Sequence, residues 1–269
     1  MIEQPEETVS IDFAITVGEG KLIATAVVPA GPTNLTQILP VIQALDDSLI
    51  AGVAEHLAED GRRFSCKAGC GACCRQLVPI SIFEAEALAA WIRTLPETRQ
   101  QELAGRFHQA LLKLAAAGII DRMVNEDWSA ENAPDRQLGL DYFYQRVPCP
   151  FLEDESCSIH PIRPLICREY LVTSAPEHCA DPATLQTAPV LLPLFFSRVL
   201  NTIGAELEQS VRCSIPLLFL FAWMKGDAHP GMRIAGTGPE VLYEFLKRID
   251  AARLPLASPN PKPEDQPER

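Results

Sequence analysis

Apolar and β-branched residues fill Ile11–Val17 and Lys21–Val28, two runs flanking Gly18-Glu19-Gly20. Such runs around a glycine-bearing turn predict a β-hairpin, which Pro29, Gly31 and Pro32 end. From Thr33 to Asp60 the period becomes helical, with Ile38, Val41, Ile42, Leu45, Leu49 and Val53 on one side. Pro40 either kinks this helix or marks its true start, and Gly61 is placed to cap its end. Ser81-Ile82-Phe83-Glu84 is a capping box for a helix over Phe83–Arg93; Thr94-Leu95-Pro96-Glu97 reads as another, opening a helix towards Gly118. Asp121–Tyr144, with Trp128 and the polar run Asn132-Ala133-Pro134-Asp135, gives no clear period, and Gln145–Asp181 is irregular and rich in proline and cysteine.

From Thr184 two apolar stretches, Ala188–Phe196 and Ile215–Met224, read as buried core helices. Both are far shorter than the roughly 20 residues of a membrane-spanning helix. Thr237-Gly238-Pro239-Glu240 caps a last helix through about Ala252. The tail Leu254–Arg269, with Pro255, Pro259, Pro261, Pro263 and Pro267 among polar residues, reads as disordered. The expected fold is mainly α, with an N-terminal β-hairpin and an irregular cysteine-rich metal-binding core. The expected division is an N-terminal hairpin and helix (1–62), a cysteine-cluster domain (63–182), C-terminal helices packed on it (183–253) and the proline-rich tail (254–269).

Composition narrows the function. A hydrophobic share of 47% over 269 residues supports a core without metal or disulfide staples. A net charge of −12 argues against nucleic acid, which needs a basic face, and against an anionic membrane surface. The acidic start MIEQPEETVS resembles neither a signal nor a transit peptide. These features fit a cytoplasmic protein, where thiols stay reduced and cysteines point to metal or redox chemistry.

The chemistry is concentrated in cysteine. Cys66, Cys70, Cys73 and Cys74 fall within nine residues, and Cys149, Cys157, Cys167 and Cys179 follow. Thiolates so crowded repel one another unless a cation sits among them, so these eight are the candidate ligands of zinc or of an iron–sulfur cluster. Cys70-x2-Cys73 has the spacing of a metal knuckle, and Gly69 and Gly71 free the loop backbone. Neighbouring side chains diverge, so the Cys73-Cys74 doublet suggests two metals, a cluster, or one ligand with a supporting thiol. The competing reading puts 66, 70, 73 and 74 on one face of a helix as small hydrophobes, at the cost of two glycines inside it. Arg163 and Arg168 either offset thiolate charge or pair with Glu153, Asp154 or Glu155. His160 and His178 are nitrogen candidates, and Cys213 reads as a lone buried thiol.

Cys-x3-Cys-x2-Cys-Cys-Arg, Cys-Pro-Phe-Leu, Cys-Ser-Ile-His and Arg-Pro-Leu-Ile-Cys-Arg together resemble the bacterial zinc- or iron-chelating cysteine-cluster family of YkgJ type. Flagellin lysine N-methylase carries a related cysteine domain. The likeness covers about Cys66 to Cys179 and implies metal chelation by zinc or iron, with a [4Fe–4S] cluster plausible by analogy to the methylase. It departs at His160, where the family often has tyrosine, so it does not imply an obligatory ligand there.

The leading functional expectation is therefore a metal-chelating protein whose partner is a metal ion. One alternative is an S-adenosylmethionine-dependent enzyme, methylase-like or radical, since Cys66-x3-Cys70-x2-Cys73 also has the radical-type spacing. Against it, no strand–Gly-x-Gly-x-x-Gly–helix unit and no alternating β/α pattern appear. The other alternative is a thiol redox sensor using pairs such as Cys73–Cys74 or Cys70–Cys73.

Overall fold

The computed structural model describes residues 7–17, 20–128, 135–181, 185–208, 214–226 and 235–249. Strands β1 (Thr8–Val17) and β2 (Gly20–Pro29) pair antiparallel from Thr8 opposite Pro29 to Val17 opposite Gly20. The hairpin expectation holds; Gly18 and Glu19 of its turn lie outside the described residues. One hairpin face, with Ile15, Ala26 and Val28 buried, covers α1 (Leu39–Glu59). Before α1 lies the short β3 (Pro32–Asn34). Pro40 stands in the first turn of α1, so it marks the start and no kink. Gly61 takes φ +70 just past the helix end, the left-handed conformation that closes helices.

After the first cysteine group come β4 (Pro79–Ser81), α2 (Ile82–Thr94), α3 (Glu97–Ala116), α4 (Ile119–Asn125) and α5 (Arg136–Tyr144). Ser81 caps α2 in a complete capping box with Glu84. The second expected box does not form. Pro96, not Thr94, stands at the head of α3 and makes no side-chain cap, while the Thr94 hydroxyl turns back to donate to the Trp91 carbonyl at 2.7 Å. Proline fixes the extended-to-helical change of direction there, leaving Thr94 to finish α2 instead.

The segment 145–181 is irregular, as expected, apart from β5 (Leu152–Glu153), β6 (Ser156–Cys157), a 3-10 turn at His160–Ile162 and the five-residue helices α6 (Leu165–Glu169) and α7 (Pro176–Ala180). Then follow α8 (Phe196–Glu208), β7 (Ser214–Pro216), α9 (Leu220–Trp223), β8 (Ala235–Thr237) and α10 (Gly238–Lys247). The two apolar stretches are not the helices that hydropathy suggested. Pro189 and Pro193 keep 188–195 extended or bent, with Val172 bridged to Pro189; Ile215-Pro216 forms part of a strand, a 3-10 turn spans Leu217–Phe219, and α-helix begins only at Leu220. Glu240 reaches back to the Thr237 amide at 2.8 Å, as expected at the head of α10. Cys213, Asn132-Ala133-Pro134, the last helix's predicted end near Ala252 and the tail lie outside the described residues.

Two hydrophobic clusters organise the chain. The first joins the hairpin, α1, Ile82 and Phe83 of α2, Leu165, α8 and α10. The second joins the opposite face of α2 with α3, α4, α5, Val147, Phe151, Ile159 and the 217–220 turn. Pairing of β3 with β8 and of β4 with β7 brings distant parts of the chain together. Gly238 must be glycine at this junction, because a Cβ there would overlap the Pro29 carbonyl. The cysteine-rich segments sit between the clusters, against α1 and α2 on one side and α3 on the other. About half the described chain is helical, so the architecture is mainly α with an N-terminal hairpin and an irregular cysteine-rich core.

Candidate metal centre

The first cysteine group is a run of turns and not a helix. Cys70 N donates to Lys67 O at 3.1 Å, Cys74 N to Gly71 O at 3.0 Å and Gln76 N to Cys73 O at 3.1 Å. Gly69 makes the reversal at φ +82, which side chains with a Cβ rarely adopt. Thus the shared-helix-face reading of 66, 70, 73 and 74 fails. Ser65 N holds the start of the loop to Val172 O at 2.9 Å. At its far end Cys149 N donates to Cys74 O at 2.7 Å, so one hydrogen bond joins the two cysteine groups.

The second group is presented by short braced elements. Strands β5 and β6 are linked by Asp154 and Glu155, both at positive φ (+48 and +58), the backbone of a tight two-residue hairpin. Glu155 is held there by a fork from Arg75, and Glu153 is gripped by Arg99 and Arg106 of α3. Cys157 therefore sits on a hairpin clamped from two sides. Cys167 lies on α6, whose first amide, Leu165 N, donates to the buried carboxylate of Glu84 at 2.7 Å. The next carboxylate along, Glu169, accepts from Ser197 N at 3.0 Å and so holds the head of α8. Arg168, 4% exposed, forks onto Asp47 of α1 at 2.7 and 2.8 Å and donates to the Arg163 and Pro161 carbonyls. Its guanidinium is spent on α1 and on backbone, and its acidic partner is Asp47 rather than Glu153, Asp154 or Glu155.

The eight cysteines of the two groups, all free thiols, line two adjoining cavities. The outer one, about 290 Å³, is lined by Cys66, Cys70, Cys73, Cys167 and Cys179. The inner one, about 170 Å³, is lined by Cys70, Cys73, Cys74, Cys149, Cys157 and Cys167. Cys66 is exposed, its thiol 4.0 Å from the Tyr170 carbonyl, whereas Cys149 and Cys157 pack on the second hydrophobic cluster. Among the described residues no three cysteine, histidine or carboxylate side chains converge as a closed ligand shell; the sulfurs ring the cavities instead. His160 lines both cavities and accepts from Arg163 Nη1 at 3.0 Å, while His178 faces the Gln186 carbonyl at 2.7 Å.

Electrostatics keep most of these thiols protonated. Burial pushes Cys149 up to about 12 and Cys179 up to about 11, and lifts Cys167 well above the ordinary thiol value. Cys66 and Cys157 are raised for the same first reason. Cys73 moves the other way, because the Cys74 thiol donates to its sulfur; Cys74 is raised in return. The Arg163 guanidinium favours the thiolates of Cys66, Cys73 and Cys157. Neither cavity has a carboxylate in its wall. An all-sulfur donor set beside a cation suits a soft, thiolate-preferring ion, zinc or iron, and does not suit calcium or magnesium.

Three features of this centre had no separate signal in the sequence. Glu84 announces itself as the acid of a capping box, but its second role under α6 depends on a contact 81 residues away. Tyr170 lines both cavities without any motif around it, and the Arg75–Glu155 fork joins residues 80 apart.

Residues 65–184 match the profile of the CxxCxxCC family, described as a "putative zinc- or iron-chelating domain". No curated protein and no solved structure matches the chain. The matched segment opens one residue before Cys66 and takes in all eight cysteines that ring the two cavities. Over residues 65–184, a little under half of its length, the chain is thus similar to the CxxCxxCC family.

Proposed function

We propose that this protein chelates thiolate-bound metal, zinc or iron, in two groups of four sulfurs. The outer group is Cys66, Cys70, Cys73 and Cys179; the inner group is Cys74, Cys149, Cys157 and Cys167. The single observation that carries the reading is that eight cysteines from five separate short segments line two adjoining cavities. The division rests on which thiolates disfavour which. Cys179 is opposed as an anion by Cys66, Cys73 and Cys70, and Cys66 by Cys73 and Cys70. Cys74 is opposed by Cys73, Cys149 and Cys157, and Cys167 by Cys149, Cys73 and Cys157. Cys73 is felt by both groups and goes to the outer one, because its neighbour Cys74 serves the inner.

Bound in this way, the metal would supply rigid cross-linking of the irregular 145–181 segment, or electron transfer if it is an iron–sulfur cluster. The chain's own residues prepare the site. Cys73 is the thiol most ready to ionise and so the first to take up a cation, and Arg163 balances the charge of thiolates in both groups.

The test is metal and acid-labile sulfide content of anaerobically purified protein, with Cys70→Ser and Cys157→Ser beside the wild type. Two metal centres in the wild type, with one lost in each variant, support the reading. Absence of both zinc and iron, or unchanged content in both variants, overturns it.

A second reading, a thiol redox sensor, is favoured by the hydrogen bond from Cys74 to Cys73, since a stabilised thiolate is the reactive form. It predicts reversible alkylation-protected pairs in metal-poor protein. Metal-replete protein whose Cys73 resists alkylation removes it.

A further inference from the structure

The two cavities share the wall formed by Lys67, Cys70, Cys73, His160, Arg163 and Cys167 but differ in what backs that wall. The inner one is backed by Leu77, Val78, Ile159 and Leu217, and its cysteines 149 and 157 are part of a packed hydrophobic cluster. Removing a sulfur from that group would open a gap in the core. The outer one includes Cys66, the one exposed cysteine among the eight, held only by the backbone at Val172 and by a weak 4.0 Å contact to Tyr170 O. Of the eight, Cys66 is the sulfur that can swing away with least loss of packing.

The outer cavity also has room to spare. Its volume of about 290 Å³ compares with about 30 Å³ for one water in the liquid and stands near the lower bound, about 300 Å³, of small-molecule sites. Its charge is opposite to that of the protein. The chain carries 35 acidic against 23 basic residues, yet this wall holds Lys67 and Arg163 with His160, which it shares with the inner cavity, and no carboxylate. Arg163 has no ion-pair partner within 4 Å among the described residues, and its Nε is buried without a hydrogen bond. His160 accepts from its Nη1 and so fixes the direction of the guanidinium. A half-buried cation with an unused donor, in the wall of a sulfur-lined space, is suited to an anion that arrives with its own metal ligand.

We propose, on the basis of the chelation reading above, that the outer group is an exchange site for a small thiol bearing a carboxylate, which takes the place of Cys66 while the inner group keeps its metal. In the exchange the bond from Cys66 sulfur to the ion breaks and a bond from the incoming sulfur forms. The proton of the incoming thiol passes to Cys66, and no electron changes hands. Lys67 and Arg163 hold the carboxylate, which places the incoming sulfur beside Cys70, Cys73 and Cys179.

The test uses the full chain loaded with zinc, with stoichiometry measured first and release to the chromogenic chelator 4-(2-pyridylazo)resorcinol then followed in time. Two phases of equal amplitude are expected, the fast one absent in Cys66→Ser with the slow one retained. Mercaptosuccinate is expected to speed the fast phase more than 2-mercaptoethanol at equal thiolate concentration, by roughly three- to tenfold, the range of one or two partly exposed ion pairs. Lys67→Gln, an exposed position that leaves every sulfur in place, should shrink that preference. A single phase for all the zinc, a fast phase that survives Cys66→Ser, or equal effects of the two thiols overturns the exchange site while leaving chelation intact. A chain that binds neither zinc nor iron shows it in the stoichiometry, before any release is timed, and overturns the chelation reading and this one together.

Discussion

Arg75 holds Glu155 by both ends of its guanidinium, Nη2 to Oε1 at 2.6 Å and Nη1 to Oε2 at 3.0 Å, while Nη1 also reaches the Gly71 carbonyl at 2.7 Å. The fork fixes a carboxylate directly over Gly71, where a Cβ would overlap Glu155 Oε2 and press on Leu152 Cδ1. Gly71→Ala must therefore displace the Glu155 carboxylate from the Arg75 fork and crowd Leu152, loosening the clamp on the β5–β6 hairpin that carries Cys157. Overpacking of this kind costs about 1–3 kcal/mol, roughly 5- to 150-fold in an equilibrium constant. We expect Gly71→Ala to weaken metal affinity by that range in a competition titration. Adding Glu155→Ala should restore most of it, because the obstacle is a removable side chain. No rescue in the double variant would show that the glycine serves the loop backbone alone.

Glu84 carries more than its helix cap. Its Oε2 accepts from Ser81 N at 2.9 Å and Ser81 Oγ at 2.8 Å, and its Oε1 accepts from Leu165 N at 2.7 Å. Glu84→Ala would strand those donors in a buried place, at about 3–5 kcal/mol. At roughly 2–4 °C per kcal/mol for a chain of this size, the melting temperature should fall by about 6–20 °C. Glu84→Gln keeps one carbonyl acceptor and should lose markedly less. If the two variants melt together, the carboxylate charge and not its acceptor geometry holds α6.

Metal uptake should release protons. Cys74, Cys149, Cys157 and Cys167 are all raised above the ordinary thiol value, Cys74 first by its hydrogen bond to Cys73 and the other three by burial, so all four are protonated at pH 7 and must lose protons to ligate. Apparent affinity should rise steeply as pH climbs from 6 towards 9. In weakly buffered solution the inner group should release close to four protons per ion, and the outer group fewer, since Cys73 is already lowered. Equal release by the two groups, read in Cys157→Ser and Cys66→Ser proteins, would contradict the division.

Local rules made the hairpin and α2 legible, because each is decided by neighbours in the chain. Alternation sets β1 and β2, and the Ser81–Glu84 box sets α2; the cysteine spacing singled out the residues that line the two cavities. The failures share a cause as well. At Thr94 the box pattern was present, but Pro96 dictated the start of α3. At 188–195 and 215–216 hydropathy indicated burial correctly for residues such as Leu192 and Leu194, while the prolines and the pairing of β4 with β7 excluded helix. The centre's supports, Arg75 on Glu155, Arg168 on Asp47 and Glu84 under Leu165, span 80 to 121 residues, and no local pattern encodes such pairs.

Asp46 is 0% exposed on α1, and neither of its carboxylate oxygens has a hydrogen-bond partner among the described residues. Burial, with Glu169 and Asp47 nearby, lifts it from 3.8 to about 8 against the pull of Arg168 and Arg163. Burial also lifts Glu169 from 4.5 to about 7. For a carboxyl raised in the folded state, the stabilising contribution is complete below its unfolded value and is lost as pH rises through the folded one. The native chain binds the extra proton between about pH 4 and 8, so stability should fall with pH across that window. Asn has the shape of the neutral acid and nothing to ionise. Asp46→Asn should match the wild type near pH 4 and exceed it at pH 7.5 by up to about 5 kcal/mol. The remaining slope, from Glu169, should be shallower than in the wild type. Urea unfolding at the two pH values reads this directly. A variant no more stable than wild type at pH 7.5 would mean that Asp46 is ionised in the folded chain, which requires Arg163 or Arg168 to turn from its present partners and neutralise it.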